Sequence, residues 1–397
     1  MGEIFNIASV DYSKKEITPY IRKDGDYYEY IPFGPDNLFP QALALFSRLS
    51  PNHRGVLVSK RRYSQGDGII GLTPDAEKWI ATVNHEGQNL NEVQKRLWTD
   101  NHTFGNEWIE LISDKKGSFL FLNHIDSTKC RLSMDLKEVI IHPDWNNFTD
   151  KTDKLCETIA LYPQWSEDTE KKGIYRSVYH KFDYEPEFTY YGVVSYISAK
   201  DSIQIDFKTN KWNLARLVNE FRISGLLSVP VKDAEEAAKV KKEIAKFIGE
   251  GNQGKVLSIQ KARAAEGQKA EEPTFTPITS NDNGSWLDLH KQSLSDIIMG
   301  HGWFRALCSI PDNTGFDTQR ILNEYNVALP SILEAQNEYI ALYQKLYKEV
   351  TGKDIELQFK NSPPLQTDKY HYIWEMREKK GLDFDPKDPE QNKIILT

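Results

Sequence analysis

Residues 289–340 read LHKQSLSDIIMGHGWFRALCSIPDNTGFDTQRILNEYNVALPSILEAQNEYI, and their periodicity sets the architecture of the second half of the chain. Apolar side chains recur at helical spacing from Trp286 to Met299, which predicts one helix. A run rich in glycine and turn-forming residues then interrupts the pattern. From about Asp317 to Gly352 the pattern predicts a second helix, on the order of 50 Å long at about 1.5 Å per residue. Pro330 lies inside it, so it either kinks this helix or begins another one.

The residues before this stretch predict a small β-α-β unit between two helices. The pattern is helical around Phe207–Phe221, and LLSVPV, GKVLSIQ and TFTPI predict short strands. Between the first two strands, DAEEAAKVKKEIAKFIG is an amphipathic helix over about 233–248, with Asp233 as N-cap and Gly249 after its last turn. The unit therefore spans about residues 226–280.

The first half of the chain predicts strands with a few helices. Helical patterns run up to Ser50, from Pro51 to Ser64 and from Leu90 to His102. The alternating segment FGNEWIELISDKKGSFLFLNHID, with a Lys-Lys-Gly turn, predicts a strand pair. Further strands are predicted at 138–142 and 159–162, in VYHKFDYE and FTYYGVVSYISA, and in IELQF, while a short helix is predicted near 370–380. The sequence as a whole predicts a mixed α+β fold.

Composition and charge narrow the classes of function. The chain has 397 residues, of which 39% are hydrophobic and 12% aromatic, so it is too aromatic to be disordered. Its formal charge of −8 argues against tight binding of DNA phosphates, though not against DNA passing nearby. Three scattered cysteines predict neither a disulfide framework nor a zinc site, and no segment predicts a signal peptide or a membrane helix.

Sequence motifs for chemistry are absent or in the wrong context. Residues 249–254, GEGNQG, match a phosphate-binding glycine pattern, but such a site needs a strand before the glycines and a helix after them. Here the predicted order is reversed, so the string is interpreted as a helix-to-strand turn. His53, His102 and His124 are interpreted as surface or loop histidines rather than metal ligands. The acidic cluster at 383–390 is interpreted as a solvated tail, and no cofactor or metal site is predicted.

Four stretches in chain order resemble the portal proteins of tailed bacteriophages. They are PDNLFPQALALFSRLSPNHRGVLVSKRRYSQGDGI, FGNEWIELISDKKGSFLFLNHID, YYGVVSYISAKDSI and the 289–340 stretch. The last is similar to the portal order of helix, loop and long helix with an internal Leu-Pro. Portals of this type often show Val-Pro-Pro where this chain has Trp303-Phe304-Arg305-Ala306.

The resemblance implies a map of the chain onto the parts of a portal subunit. The implied parts are wing 1–205, first stem helix 206–225, clip 226–284, second stem helix 285–305, tunnel loop 306–317, long wing helix 318–352, and a short C-terminal wing or crown segment 353–397. It also implies a ring, usually of twelve subunits, at one vertex of the capsid in the virion. The subunit would be synthesised in the cytoplasm of the bacterial host.

The resemblance also implies the functional residues and partners. The expected residues of a loop facing DNA are Ser309, Pro311, Asp312, Asn313, Thr314 and Gly315. The expected docking surface of the clip comprises Lys239, Lys241, Lys242, Glu243 and Lys246. Implied partners are further copies of the chain, the major capsid protein, the terminase motor, a neck or tail adaptor, and double-stranded DNA that passes without sequence-specific binding.

The implied function is a structural conduit for DNA packaging and ejection, not an enzyme. Two alternatives remain open on the sequence. The chain could be another structural virion subunit, such as a neck or capsid component, or a nucleic-acid-handling ATPase, for which the only support is the glycine string at 249–254.

Overall fold

The computed structural model describes residues 29–218, 223–231, 235, 238–239, 242, 255–262, 274–277, 285–308, 310, 318–364, 370–372, 377, 383, 385, 387–388 and 394–396. The chain divides into two compact units. Unit 1 comprises Met1–Ala44, Gly55–Ser195 and Gly302–Thr397, and unit 2 comprises Leu45–Arg54 and Tyr196–His301. Helices and sheets occur in both, so the mixed α+β prediction is confirmed at this level.

Most of the described helices fall close to the predicted positions. They are α1 (Phe39–Leu49), α2 (Pro51–Gln65), α3 (Pro74–Ala81), α4 (Leu90–Phe104), α5 (Lys200–Val218), α6 (Ser285–Gly300) and α7 (Thr318–Thr351). The ends of α4 show why its bounds are well defined. Asn89 and Glu92 form a reciprocal capping box at its start, and Gly105 ends it in the left-handed conformation at φ 64°.

Three sheets of unit 1 are antiparallel. The strands are β1 (Gly68–Gly71), β2 (Asn106–Asp114), β3 (Phe121–Ile125), β4 (Cys130–Leu132), β5 (Glu138–Ile141), β6 (Glu157–Ala160), β7 (Ser166–Glu167), β8 (Ile174–Phe182) and β12 (Leu357–Lys360). Their orders are β3-β2-β8-β7, β4-β5-β6 and β1-β12. In the first sheet Ile109 pairs with His124 of β3 and with Tyr179 of β8, which confirms the predicted strand pair.

The main core of unit 1 forms between β2, α4 and α7. Eight of the nine residues of β2 are buried, so this strand is covered on both faces. The ring of Trp98 on α4 packs edge-on against Tyr339 of α7 with centroids 4.6 Å apart. Tyr343 and Leu346 continue the same buried face of α7. Four turns of helix beyond Pro330 are thus held by the core.

Helix α7 is continuous for 34 residues with Pro330 inside it. The sequence left open whether Pro330 begins a second helix, and the structure resolves this in favour of one helix. A proline inside a helix removes one backbone hydrogen bond and costs about 3 kcal/mol. Packing of Ile332, Tyr339 and Tyr343 in buried clusters on the C-terminal side offsets that cost.

Unit 2 contains a helix pair and a three-stranded sheet. Helices α5 and α6 pack against each other, and Gly300 of α6 allows close approach, since a Cβ there would lie 2.6 Å from Ala199. The sheet has the order β10-β9-β11, from β9 (Ile223–Val231), β10 (Lys255–Ala262) and β11 (Thr274–Pro277). Strands β9 and β10 are parallel, as a β-α-β connection requires.

Three sequence predictions of local structure were wrong. FTYYGVVSYISA was predicted as strand, but Ser195–Ala199 forms a 3₁₀-helix and α5 begins directly at Lys200, seven residues before the predicted start. Tyr370–Tyr372, placed in a predicted helix, forms β13 and pairs with β14 (Ile394–Leu396). Helix α3 was not predicted, although Thr73 caps it and Pro74 occupies its first turn. The predicted hairpin at 1–33 lies largely outside the described residues.

No described helix is long and apolar enough to cross a membrane.

Candidate functional site

The residues just before the expected DNA-facing loop are anchored to α2. Trp303 donates its indole N–H to Ser59 Oγ at 2.9 Å. Ser59 Oγ in turn donates to the backbone carbonyl of Leu307 at 2.8 Å. One buried hydroxyl therefore fixes two points of the segment that leads to residue 309, and Ala306–Cys308 forms a single 3₁₀ turn there.

Glu324 ties the two ends of this loop together. Its carboxylate accepts the backbone N–H of Ala306 at 2.7 Å and the guanidinium N–H of Arg320 at 2.8 Å. Ala306 precedes the loop, whereas Arg320 lies in the first turn of α7, after it. Hydrogen bonds to a charged acceptor are stronger than those between neutral groups, so Glu324 fixes the base of the loop.

An apolar cluster supports the same base. Leu307 is buried against Tyr325, Ala328 and Ile332 of α7, and Tyr63, Trp303 and Phe304 pack around them. Burial also raises the pKa of the Cys308 thiol to about 11, so Cys308 stays a neutral thiol at physiological pH. The segment Trp303–Ala306, which departs from the usual portal pattern, thus folds as an aromatic anchor on α2 and α7.

The expected loop residues themselves lie outside the described residues. These are Ser309, Pro311, Asp312, Asn313, Thr314 and Gly315. Their assignment stays a prediction from the resemblance.

The expected docking residues are described only in part. Lys239 and Lys242 are helical and exposed, as are Glu235 and Ala238 on the same predicted helix. Lys241, Glu243 and Lys246 lie outside the described residues. Two of the five expected docking residues are thus exposed on the helix that connects β9 and β10, and their role in docking stays a prediction.

The helix pair of unit 2 is held at one end by a buried carboxylate. Asp206 of α5 is fully buried and accepts Ser50 Oγ at 2.5 Å and Asn52 Nδ2 at 2.7 Å. Ser50 also accepts the backbone N–H of His53 at 3.1 Å, so it caps α2 while it contacts α5. His290 Nδ1 of α6 lies 3.5 Å from Asp206 Oδ1.

Further along, the same helices expose apolar side chains. Ile203, Asp206 and Phe207 of α5 are buried, but every residue from Asn210 to Leu214 is exposed. Leu214 is 61% exposed, and Met299 on α6 is 81% exposed. The two exposed side chains lie at different ends of the helix pair, because Met299 adjoins Gly300, which packs beside Ala199 just before α5 begins.

The interpretation of His53, His102 and His124 as surface or loop residues was wrong. His53 is fully buried in α2, with Nδ1 2.9 Å from His301 Nε2, and burial lowers its pKa to about 3. His102 lies in α4, stacked on Trp98 and 3.0 Å from Ser64 Oγ. His124 bonds the buried Asp100 at 2.9 Å. All three are structural, since they satisfy buried partners that the sequence does not reveal.

Metal and phosphate chemistry receive no support from the described residues. No group of three or more His, Cys, Asp or Glu side chains there could hold a metal ion. The glycine string is followed directly by strand β10 at Lys255, where a phosphate site would need a helix. The order on this side agrees with the helix-to-strand interpretation.

Sequence reasoning missed the residues that fix this region. Ser59 and Glu324 are single polar residues within amphipathic patterns, and no local motif distinguishes them from ordinary surface positions. The one usable signal was the spacing of Arg320 and Glu324, which predicts a helical ion pair four residues apart but not the bond to Ala306.

Solved structures of similar fold come from a particle neck. A chain in the neck of the empty gene transfer agent (GTA) particle, computed with C6 symmetry, has a TM-score of 0.56 and 16% identity, with 88% of this chain and 95% of that chain covered. A chain in the neck of the native GTA particle, computed with C12 symmetry, has a TM-score of 0.56 and 15% identity, over 89% and 92% of the two chains. A protein described as an HK97 family phage portal protein from Corynebacterium diphtheriae has a TM-score of 0.41 and 9% identity, over 79% and 94%.

Comparisons of sequence add nothing to this. No family model matches the chain. No curated protein matches it either. The resemblance to portal proteins noted in the sequence agrees with the particle-neck structures that match in fold. The chain has the fold of a protein chain found in the neck of the gene transfer agent particle.

Proposed function

We propose that the chain is the portal subunit of a phage-type particle. In this proposal twelve copies form a ring at one capsid vertex, through which DNA is packaged and later ejected. The observation that carries it is the fold shared with a neck chain over 88% of this chain and 95% of the other, in a particle computed with C6 and C12 symmetry. The order of the four portal-like stretches in the sequence supports it independently.

The proposed parts of the subunit are those that the resemblance to portal proteins implies. Unit 1 would supply the wing, and α5 and α6 would be the stem helices that flank the clip. The parallel pairing of β9 and β10 supports a β-α-β clip between them. Residues 306–317 would form the tunnel loop, and the clasp of Glu324 with Ala306 and Arg320 supports a loop projected from a fixed base.

The ring would be built from one repeated contact. A closed ring uses a heterologous interface, in which one surface of each subunit meets a different surface of the next. The apolar side chains exposed on α5 and α6, among them Leu214 and Met299, are candidates for that contact. The major capsid protein would hold the ring in the shell.

The net negative charge of the chain suits a channel that does not bind DNA tightly. DNA carries one negative charge per about 1.7 Å. Twelve copies of a chain with formal charge −8 give a ring of about −96, which repels phosphate and lets the duplex slide. The role is that of a structural virion protein and not of an enzyme, with the terminase motor and then a neck or tail adaptor docking at the clip through exposed residues such as Lys239 and Lys242.

The direct test is negative-stain electron microscopy of the purified full chain, with mass photometry on the same sample. We expect rings of about a dozen subunits with a central hole. Compact small oligomers without a hole would contradict the proposal and favour another structural virion subunit. A monomer would be retested with scaffold or shell protein added, and failure to form rings there would also contradict it.

The tunnel assignment has a separate test. Deletion of Pro311–Gly315 should leave rings intact but impair packaging or retention of DNA. Loss of ring assembly in this variant would contradict the assignment of the loop without touching that of the ring.

A further inference from the structure

A pocket of about 350 Å³ lies on unit 1 beside the C-terminal end of α7. Three half-buried aromatic residues line it: Tyr162 and Trp165 after β6, and Tyr175 on β8. The rings of Tyr162 and Trp165 are 6.3 Å apart and nearly perpendicular, at 76°. Aromatic faces carry partial negative charge, so aromatic rings that line a pocket favour a cation bound there.

Glu349 brings a carboxylate to the same pocket, beside Tyr162. Glu349 lies in the last turn of α7, where the carbonyl ends of a 34-residue helix add partial negative charge. Tyr162 donates its hydroxyl to Glu349, which orients the carboxylate at the pocket. The nearest fixed cation, Lys345, is 4.0 Å away with both side chains substantially exposed, so this pair neutralises Glu349 weakly.

The turn between β2 and β3 closes the pocket against this helix end. Gly117 has φ 67°, and a Cβ there would lie 1.9 Å from the carbonyl oxygen of Val350, so only glycine allows the approach. Asp114 on the same turn accepts the backbone N–H of Ser118 at 2.7 Å, which lowers the pKa of its carboxyl. The turn therefore brings a second ionised carboxylate to the rim.

We propose that this pocket binds the guanidinium group of an arginine side chain presented by a partner protein. A guanidinium is planar, so it stacks on Trp165 or Tyr175 while its N–H groups reach the Glu349 carboxylate. An ammonium or a polyamine offers neither the plane nor the fork of donors. Lys115 and Lys116 are exposed at the rim and weaken the site for any cation, which suits an arginine held there by a larger interface.

The probe is N-acetyl-arginine amide, observed by saturation-transfer NMR on the full chain. Its neutral isostere, N-acetyl-citrulline amide, and spermidine are run in parallel. We expect transfer to the arginine side-chain protons that is about fivefold stronger than to citrulline, as charge and stacking at an open site together predict. An equal signal from citrulline would show that binding does not require a positive charge. An equal signal from spermidine would show that the pocket does not select a guanidinium. Either result would overturn the proposal.

Matched variants place the signal on the pocket. Glu349→Gln and Trp165→Leu should each reduce it, whereas Glu334→Gln, an exposed position elsewhere on α7, should not. Removal of the rim charges in Lys115→Ala with Lys116→Ala should increase it. Unchanged binding in Glu349→Gln, with thermal unfolding like that of the original chain, would overturn the proposal. The test does not depend on the proposed portal function.

Discussion

The core of unit 1 buries a central strand on both faces, whereas helix α5 of unit 2 is buried over only part of its length. In unit 1, β2 is buried along almost its whole length between α4 and α7. In unit 2, α5 is buried around Asp206 and Phe207, but its residues from Asn210 to Leu214 are exposed. Unit 1 therefore contains a continuous core, although both units also expose large apolar side chains, among them Leu155 in unit 1 and Leu214 in unit 2.

Buried polar groups anchor different segments in the two units. In unit 1 the fully buried Arg131 donates to neutral acceptors only, with Asn37 Oδ1 and Asn37 O each at 2.6 Å and Cys130 O at 2.7 Å. Its guanidinium also lies 4.8 Å from the Trp145 ring. In unit 2 such groups include Asp206, which is bonded to Ser50 and Asn52, and the His53–His301 pair. The first set fixes residues 35–37 (PDN) to the β4–β5 hairpin. The second fixes one end of the α5–α6 pair.

The largest expected effect is in unit 1, at Arg131. Arg131→Ala removes the guanidinium donors from Asn37 O and Cys130 O, while Asn37 Oδ1 keeps the Phe33 N–H, and it opens a cavity beside Trp145. It should therefore lower the free energy of unfolding by about 3–5 kcal/mol. Urea unfolding of the purified chain measures this. The control is Lys137→Ala, an exposed residue on the same β4–β5 hairpin, with an expected change within about 0.5 kcal/mol. A loss below about 1 kcal/mol at Arg131 would contradict the anchoring role.

The next largest effect is a loss of folding stability in acid, which arises from His53 in unit 2. Its pKa is about 3 in the folded chain and about 6.5 when unfolded, so the unfolded state binds the proton first. His53 therefore contributes stability above pH 6.5 that is lost progressively as the pH falls from 6.5 towards 3. At pH 5 the loss is about 2 kcal/mol.

The variant His53→Gln should flatten that part of the pH profile, measured by urea unfolding between pH 7.5 and 4.5. The comparison is of slopes, so a general loss of stability in the variant does not obscure it. His85→Gln, an exposed histidine of unit 1, should leave the slope unchanged. An unchanged slope in His53→Gln would show that another group carries the acid sensitivity.

A smaller effect is expected at the base of the proposed loop. Glu324→Ala removes the acceptor for Ala306 N–H and should cost about 1–2 kcal/mol locally. Hydrogen exchange at the amides of Ala306 and Leu307 should accelerate accordingly. Glu324→Gln keeps an acceptor and should restore part of the protection, whereas Glu334→Ala on the same helix should change nothing there. Equal exchange in all variants would contradict the clasp.

The smallest effect on folding, and the most informative on assembly, is at Leu214. Leu214→Asp should change the stability of the isolated chain by no more than about 0.5 kcal/mol, because the side chain is exposed. If neighbouring copies cover it, its burial contributes about 1.5–3 kcal/mol per contact, so rings should dissociate at higher concentration by mass photometry. Asn210→Asp on the same helix adds the same charge without that effect. Rings of equal stability in both variants would show that Leu214 does not lie in the interface between subunits.

Local patterns predicted most of the elements, and long-range contacts decided the exceptions. The helices at 51–65 and 90–104 and the β2–β3 pair followed from periodicity, caps and a glycine turn, which act within a few residues. The strand prediction for FTYYGVVSYISA was wrong because Tyr191 is buried in the core. Its hydroxyl donates to the Ile31 carbonyl, and its ring stacks on Phe33 with centroids 4.1 Å apart. No periodic pattern reveals that use.

The same limit applied to the candidate site. The portal-like order of stretches predicted where a loop and a docking helix should lie, but not what holds them. Ser59 is 248 positions from Leu307 in the sequence, and Arg131 is 94 positions from Asn37. Such pairs form only when the chain is folded, so a single sequence carries no trace of them.

The sequence by itself determined the fold class, the positions of most helices and strands, and the parallel β-α-β unit, because propensity, spacing and turn chemistry are local. Tertiary structure alone decided that α7 is continuous through Pro330 and that the three histidines are structural. It also decided that Glu324 fixes the base of a loop and that three aromatic residues and two carboxylates line one pocket beside Gly117. These depend on burial and on contacts between distant segments, and free energies of that kind are fixed only when the whole chain packs.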